Sequence, residues 1–171
     1  EGTFGDSPDR WWFSALGNGG SWTASIATQA VSGRLTDTPG AIRGGRKLGS
    51  DVVIYKERSF YLGRYQGPPV IWQFTLISDE IGAVSHWAIV PVDNAHVFMG
   101  QDDFWIYDGS VPRSIGAPIR DWFFNSELDS DNLGKVRGVS DLHNNLLYWF
   151  YPSQTGPGSD DRYVAYNFRT N

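Results

Sequence analysis

The chain has 171 residues and a net charge of -5, with 40% hydrophobic and 19% charged residues. This balance excludes a disordered or collagen-like chain, and the length suits one domain with a hydrophobic core. The absence of cysteine excludes disulfides, thiolate metal sites and thiol nucleophiles. No apolar run reaches the roughly 18 residues of a membrane-spanning helix, so we expect no membrane span.

Strand signals dominate the chain, in keeping with its 20 Gly, 8 Trp, 8 Tyr and 10 Phe. The first predicted strand covers residues 10–15, and apolar runs on either side of polar segments then predict three hairpins. The hairpins pair 52–55 with 60–62, 96–99 with 104–107, and 146–151 with 163–166. A short strand is predicted before each hairpin, at 41–43, 88–90 and 137–139. The Pro/Gly/Ser-rich segment 152–161 is predicted to be the least ordered loop.

The spacing of these units predicts the fold. Trp12, Ile54, Phe98 and Trp149 follow one another at 42, 44 and 51 residues. Units of several short strands that recur every roughly 40–50 residues are typical of β-propeller blades. We therefore predict a mainly β fold, a propeller-like stack of short antiparallel sheets in which residues 1–171 form three to four blades. A sandwich or barrel with coincidental spacing is the alternative.

Three units and a fraction do not close a ring, and the sequence opens on Glu1 rather than Met. Since a blade cannot bury both of its faces by itself, neighbouring blades must cover it. We therefore expect one all-β region that is a piece of a longer chain.

One short helix is expected near residues 117–125. Pro118 lies near its start, and Ile119, Trp122 and Phe123 follow at helical spacing. The helix is expected to lie against a blade face or rim, and the acidic run 127–131 is expected to mark its exit.

Charge is divided unevenly along the chain. Residues 1–78 hold 8 Lys/Arg and 6 Asp/Glu, whereas residues 79–171 hold 6 and 13. The acidic second half argues against a nucleic-acid footprint across the whole domain. A local basic group in the first half is interpreted as solvated turn and strand-edge residues. Its members are Arg43, Arg46, Lys47, Lys56, Arg58 and Arg64.

No pattern in the sequence predicts a catalytic site, a cofactor site or a metal site. The three histidines, His86, His96 and His143, are isolated from one another and are expected at the surface or at strand edges. The segment 129–140 opens like a calcium loop, but it carries Leu133 and Ser140 at ligand positions, so a solvated helix exit is expected.

Asp102 and Asp103 lie in a predicted hairpin turn beside Trp105. A pair of carboxylates beside an aromatic ring is one requirement of glycoside hydrolysis. Aspartate is also favoured in turns because its side chain accepts hydrogen bonds from nearby backbone N–H groups. We expect the turn role here.

The aromatic residues have three open interpretations: packing within and between blades, a subunit interface, or stacking against a ligand. The candidate interface or binding residues are Trp87, Trp105, Trp122, Phe123, Arg58 and Arg64.

Several stretches of the chain resemble one protein family. Residues 10–17 followed by 21–23 resemble the "strand, Ser-Ala-x-Gly, then Trp" segment of bacteriophage packaged-DNA stabilisation or tail hub proteins of short-tailed phages. The stretches 53–73, 98–109 and 112–124 are similar to further regions of that family. Here Phe104 directly follows Asp103, where the family usually has a Gly after the Asp pair.

The resemblance implies a propeller-like, non-enzymatic component of the virion, in the tail hub or head-to-tail connector. Such a protein would assemble in the bacterial host cytoplasm as a homo-oligomer, together with other tail or connector proteins and near packaged DNA. It implies no catalytic, cofactor or metal residues. The alternative is a lectin-like, carbohydrate-binding propeller of a receptor-binding or cell-surface protein. A glycan hydrolase using Asp102 or Asp103 is the third class.

Overall fold

A computed structural model describes residues 7–170. In this part of the chain the strands form four antiparallel sheets, and in each sheet the strands lie side by side in chain order. The strands are β1 (Arg10–Phe13), β2 (Val31–Arg34), β3 (Ile42–Leu48), β4 (Asp51–Lys56), β5 (Phe60–Gly67), β6 (Ile71–Ser78), β7 (Ile89–Val92), β8 (Ala95–Met99), β9 (Phe104–Tyr107), β10 (Arg113–Ser114), β11 (Arg137–Asp141), β12 (Leu146–Tyr151) and β13 (Arg162–Asn167).

The four sheets follow the units expected from the sequence. Sheet 1 contains β1 and β2, sheet 2 contains β3 to β6, sheet 3 contains β7 to β10, and sheet 4 contains β11 to β13. The prediction of a mainly β fold of antiparallel sheets is confirmed, and so are the three hairpins. They arise because an apolar run lies on each side of a polar turn, which is the pattern of strands buried on one or both faces.

Consecutive sheets pack face to face. Sheet 1 packs on sheet 2 through Phe13 and Trp72, whose ring centroids are 4.3 Å apart. Sheet 2 packs on sheet 3 through Phe60 and Tyr107, at 4.9 Å. The first strands also meet, since β7 contacts both β3 and β11. The hydrophobic core is therefore a series of layers between successive sheets.

The strand β8 lies in the middle of this series and is buried on both faces. Val97 and Met99 point into the layer shared with sheet 4, whereas Phe98 points into the layer shared with sheet 2. Alternate side chains of a strand point to opposite faces, so a strand between two layers needs apolar residues at consecutive positions.

Three strands, β2, β6 and β10, were not predicted from the sequence. β2 has the sequence Val-Ser-Gly-Arg, and its conformation is set by antiparallel pairing with β1 rather than by strand propensity. Gly33 is needed there because a Cβ at this position would lie 2.5 Å from Cζ2 of Trp11. β6 pairs with β5 along most of its length and exposes Gln73, Thr75 and Leu76. β10 has two residues and pairs with β9.

The single predicted helix exists with shifted boundaries. Residues 117–119 form a turn, and the helix α1 (Arg120–Trp122) continues into a π-helical segment, Phe123–Glu127. A short 3-10 helix, Ser130–Lys135, follows. The π-helical segment ends where the buried Glu127 carboxylate accepts hydrogen bonds from the Tyr151 hydroxyl at 3.0 Å and from Arg162 at 2.6 Å.

The loop 152–161, which the sequence predicts to be the least ordered, is anchored by hydrogen bonds at both ends. The Asp161 carboxylate accepts bonds from the backbone N–H and the hydroxyl of Ser153, both at 2.7 Å. The backbone N–H of Gln154 donates to the carbonyl of Glu127 at 2.7 Å. These bonds satisfy backbone groups that would otherwise be buried without partners. Within residues 7–170, no helix has the length and apolar character required to span a membrane.

Candidate interaction surfaces

The six candidate residues from the sequence fall into different environments. Trp87 and Trp122 are 60% and 54% exposed, and Arg58 and Arg64 are also exposed. Trp105 is half-buried and packs against the layer between sheets 2 and 3. Phe123 is fully buried.

Phe123 is a core residue. Its ring lies 5.1 Å from that of Phe104 and 4.8 Å from that of Tyr151. The π-helical segment turns this side chain into the layer between sheets 3 and 4, so it offers no surface to a partner. As a candidate interface residue it is therefore corrected to a packing residue.

Trp87 lies beside a cleft of about 620 Å³ that Lys135, Arg137 and Asp160 also line. The Arg46 guanidinium lies 5.9 Å from the centroid of the Trp87 ring, within the range of a cation–π interaction. Arg137 pairs with Asp160 at 2.9 Å. The cleft thus combines a flat apolar surface with cationic groups.

The backbone under Trp87 is held firmly. Its carbonyl accepts a hydrogen bond from the N–H of Gly138 at 2.8 Å. The Ser85 hydroxyl donates to the carbonyl of Val136 at 2.7 Å and accepts from the N–H of Ala88 at 3.0 Å. The exposed indole is therefore presented by a turn directly before β7 that is hydrogen-bonded to the first strand of sheet 4 and to the residue before it.

Trp105 lines a different cleft, of about 350 Å³, together with Asp102, Asp103, Arg120 and Asp121. Asp103 is buried and accepts three hydrogen bonds, from the N–H of Phe104 at 2.7 Å, from the Ser114 hydroxyl at 2.7 Å and from Arg120 at 3.3 Å. The bond to the Phe104 N–H is the turn role expected for this aspartate. With its oxygens occupied, Asp103 ties the turn to β10 and α1.

The calcium-like segment is a helix cap. The Asp129 side chain accepts from the N–H of Asp131 at 3.0 Å and from the amide of Asn132 at 2.8 Å, which caps the 3-10 helix. Within residues 7–170, no group of three or more His, Asp or Glu is placed to hold a metal ion.

The expectation that all three histidines lie at the surface or at strand edges is wrong for His96, which lies on β8 between β7 and β9. Its side chain is fully buried between sheets 2 and 3. Nε2 lies 3.0 Å from the carbonyl oxygen of Lys47, and Nδ1 lies 2.9 Å from the Tyr55 hydroxyl. Because a carbonyl only accepts, Nε2 carries the proton and Nδ1 accepts from Tyr55. His96 is thus a neutral link between two sheets.

We expect this burial to make the protein less stable in mild acid. Loss of solvation lowers the pKa of His96, partly opposed by its bond to the Lys47 carbonyl, and the pKa of His86 is lowered by burial as well. The unfolded chain binds protons below about pH 6.5 that the folded chain does not, so stability falls as the pH drops through that value. Urea unfolding between pH 7.5 and 5 is expected to show a loss of at most about 1.4 kcal/mol per pH unit from each histidine.

The matched variants for this experiment are His96→Gln and His143→Gln. The first is expected to reduce the pH slope, and the second, at an exposed histidine, to retain it. An unchanged slope in His96→Gln would contradict the assignment.

The interpretation of the basic group as solvated residues is wrong for Lys56. Its side chain is fully buried, and Nζ donates to the carbonyls of Leu35, at 2.9 Å, and of Thr38. Arg64, in contrast, is exposed and pairs with Asp51 at 3.1 Å.

Sheet 4 carries a surface that the sequence analysis did not single out. We name it the outer aromatic face, formed by Val139, Tyr148, Phe150 and Tyr163 on the side of the sheet away from sheet 3. Phe150, Val139 and Tyr163 are 39%, 53% and 61% exposed. The Tyr163 ring lies 5.6 Å from that of Tyr148 and 6.0 Å from that of Phe150. The consecutive aromatics of residues 148–151 were the available signal, since they require apolar surroundings on both faces of β12.

No protein-family model and no curated protein matches this chain.

Proposed function

We propose that this chain is a structural component of a phage virion, in the tail hub or head-to-tail connector, and that it acts by protein–protein assembly without catalysis. The observation that carries the proposal is the outer aromatic face. Contiguous exposed apolar surface of this kind is typical of protein–protein interfaces. An assembly function accounts for aromatic residues that no sheet among residues 7–170 covers.

Within this proposal the four sheets are consecutive blades of a larger propeller. Support comes from three features: each sheet is an antiparallel meander, consecutive sheets stack face to face, and β7 contacts both β3 and β11. In a propeller the first strand of each blade lies nearest the axis, so first strands approach one another. The two sheets at the ends of the stack then need neighbours, which several copies or other tail and connector proteins would provide.

The phage assignment rests on the resemblance, whose stretches lie mainly in strands and in the helical segment. Residues 53–73 and 98–109 form hairpins of sheets 2 and 3, and 112–124 includes β10 and α1. The net charge of -5 also suits a protein placed near packaged DNA, because like charges discourage the duplex from adhering.

The test is the location of the protein. Immunogold labelling of purified virions with an antibody to residues 1–171 is expected to mark the tail or the head-to-tail junction. Mass spectrometry of the same particles is expected to find the chain in several copies. Its absence from virions and presence as a free host protein would refute the proposal.

The Trp87 cleft favours a second candidate, a carbohydrate-binding module. An exposed indole on a rigid backbone beside polar groups suits stacking against a sugar ring. A glycan array distinguishes the two: reproducible binding that Trp87→Ala abolishes would support the lectin function. Trp122→Ala is the matched control, since Trp122 is 54% exposed and has no place among the cleft residues. Binding that both variants retain would locate the glycan elsewhere.

A further inference from the structure

We infer that the outer aromatic face of sheet 4 binds the β1–β2 sheet of a second copy of this chain, in a head-to-tail contact that repeats the internal packing of sheets. The inference rests on the proposed assembly function and names the partner surface. It follows from the equivalence of residues in successive sheets.

Each sheet has a forward face, which we define as the side toward the following sheet and, in sheet 4, as the side away from sheet 3. The opposite side of each sheet is its rear face. In sheets 2, 3 and 4 this face carries two cross-strand pairs between the second and third strands of the sheet. The pairs are Tyr55–Phe60 and Val53–Leu62 in sheet 2, Met99–Phe104 and Val97–Ile106 in sheet 3, and Phe150–Tyr163 and Tyr148–Ala165 in sheet 4. The residues of the outer aromatic face are therefore the register equivalents of core residues.

The equivalent residues differ sharply in burial. Tyr55 and Phe60 in sheet 2 are fully buried, and Phe104 in sheet 3 is 3% exposed. Their counterparts Phe150 and Tyr163 in sheet 4 are 39% and 61% exposed. In sheets 2 and 3 the next sheet provides the burial. The forward face of sheet 4 thus carries residues of the kind that pack against a neighbouring sheet elsewhere in this core.

In sheets 2 and 3, an aromatic residue on the rear face of the next sheet covers the forward face. Phe98 of β8 packs on Tyr55, with ring centroids 4.8 Å apart. Trp149 of β12 packs on Phe104 at 5.0 Å, and its indole N–H donates to the carbonyl of Ala88 at 2.9 Å. The sheet that covers Phe150 and Tyr163 is expected to present a residue of the same kind.

Sheet 1 presents such a residue. Trp11 and Phe13 point toward sheet 2, where they pack on Phe74 at 4.7 Å and on Trp72 at 4.3 Å. Since side chains alternate along a strand, Trp12 lies half-buried on the rear face of β1, with the Arg10 guanidinium 6.0 Å from its ring centroid. Trp12 precedes Ile54 by 42 residues, and Ile54, Phe98 and Trp149 form the same series on the rear faces of sheets 2 to 4.

The rear face of sheet 1 also carries a guanidinium group that aromatic rings can bind. Arg10 lies opposite Arg34 in the β-ladder, and the charge of Arg34 is balanced by Asp9 at 2.8 Å. The outer aromatic face offers the rings of Tyr148 and Tyr163, and guanidinium groups bind favourably over such rings. Arg137, which is opposite Phe150 in the β-ladder, has its charge balanced by Asp160 at 2.9 Å. A contact between two different faces of one chain is heterologous, so it generates rings or filaments.

The experiment uses the chain of residues 1–171 and two variants. Phe150→Glu blocks the forward face of sheet 4, and Trp12→Glu blocks the rear face of sheet 1. By sedimentation velocity the unchanged chain is expected to self-associate with rising concentration, and each variant to weaken association by at least about tenfold. An equimolar mixture of the variants is expected to form a one-to-one dimer that grows no further, because it holds one intact pair of faces.

The matched control is Val111→Glu, which places the same charge at a 70% exposed apolar residue outside both faces. It is expected to associate like the unchanged chain. Circular dichroism and thermal unfolding identify a variant that fails to fold; Tyr163→Glu and Arg10→Glu then replace Phe150→Glu and Trp12→Glu.

Three results would overturn the inference: an unchanged chain that stays monomeric at high concentration, association that the forward-face variant leaves intact, or variants whose mixture does not associate. These results are independent of the virion test. A chain found in virions but monomeric in solution refutes this contact alone, whereas a self-associating chain absent from virions refutes the phage assignment alone.

Discussion

Replacing Trp149 with alanine is expected to lower the free energy of unfolding by about 3–5 kcal/mol. The side chain is 1% exposed and fills the layer between sheets 3 and 4, against the ring of Phe104. The substitution opens a large cavity and leaves the carbonyl of Ala88 without its indole donor. Both losses weaken the attachment of sheet 4, which equilibrium unfolding in urea measures directly.

Two further variants separate the contributions. Trp149→Phe keeps an aromatic ring but loses the hydrogen bond, so we expect a smaller loss than for alanine. Phe150→Ala, on the same strand but 39% exposed, is expected to cost less than about 1.5 kcal/mol. If Trp149→Ala and Phe150→Ala had equal effects, sheet 4 would not pack on sheet 3 as described.

Replacing Lys56 with methionine is expected to cost about 2–5 kcal/mol. Methionine has a similar length but cannot donate a hydrogen bond, so the carbonyls of Leu35 and Thr38 would both lose the Nζ donor. Each unsatisfied buried carbonyl costs about 1–3 kcal/mol. Urea unfolding at pH 7 measures the effect.

Lys47→Met is the control, because Lys47 is exposed and the change is chemically identical. It is expected to alter stability by less than about 0.5 kcal/mol. Burial lowers the pKa of Lys56, while the neighbouring carboxylates of Asp9 and Asp37 oppose that shift. A neutral or stabilising effect of Lys56→Met would show that the removal of a buried cation outweighs the loss of its two hydrogen bonds.

Lys56 and His96 are two polar residues whose burial could not be predicted from the sequence. Both residues lie next to turn signals and look solvated in a linear pattern. Lys56 is buried because the chain segment containing Leu35 and Thr38 passes over it, and His96 because Tyr55, 41 residues away, lies across the layer. Local periodicity carries no information about which distant backbone covers a residue.

Phe123 and the outer aromatic face also show that burial cannot be predicted from the local sequence. Phe123 is buried although it was a candidate interface residue, whereas the outer aromatic face is exposed although its residues are apolar. The helical spacing of Trp122 and Phe123 gave both residues similar candidate roles, whereas the π-helical segment buries one and leaves the other 54% exposed. Tyr148 and Phe150 belong to a run of consecutive aromatic residues, which is the pattern of a strand buried on both faces, yet residues 7–170 cover sheet 4 on one side only. The run of aromatic residues predicts that both faces of the strand are covered, but it does not predict which part of this chain or which partner covers them.

From the sequence alone, the antiparallel hairpins, the order of the sheets and the single helical region were determined, because alternation and turn residues act over a few neighbouring positions. Only the tertiary structure decided which polar groups are buried, where the clefts lie and which aromatic surface is left uncovered. Those features depend on contacts between residues tens of positions apart, where packing and hydrogen bonding across layers outweigh local preference.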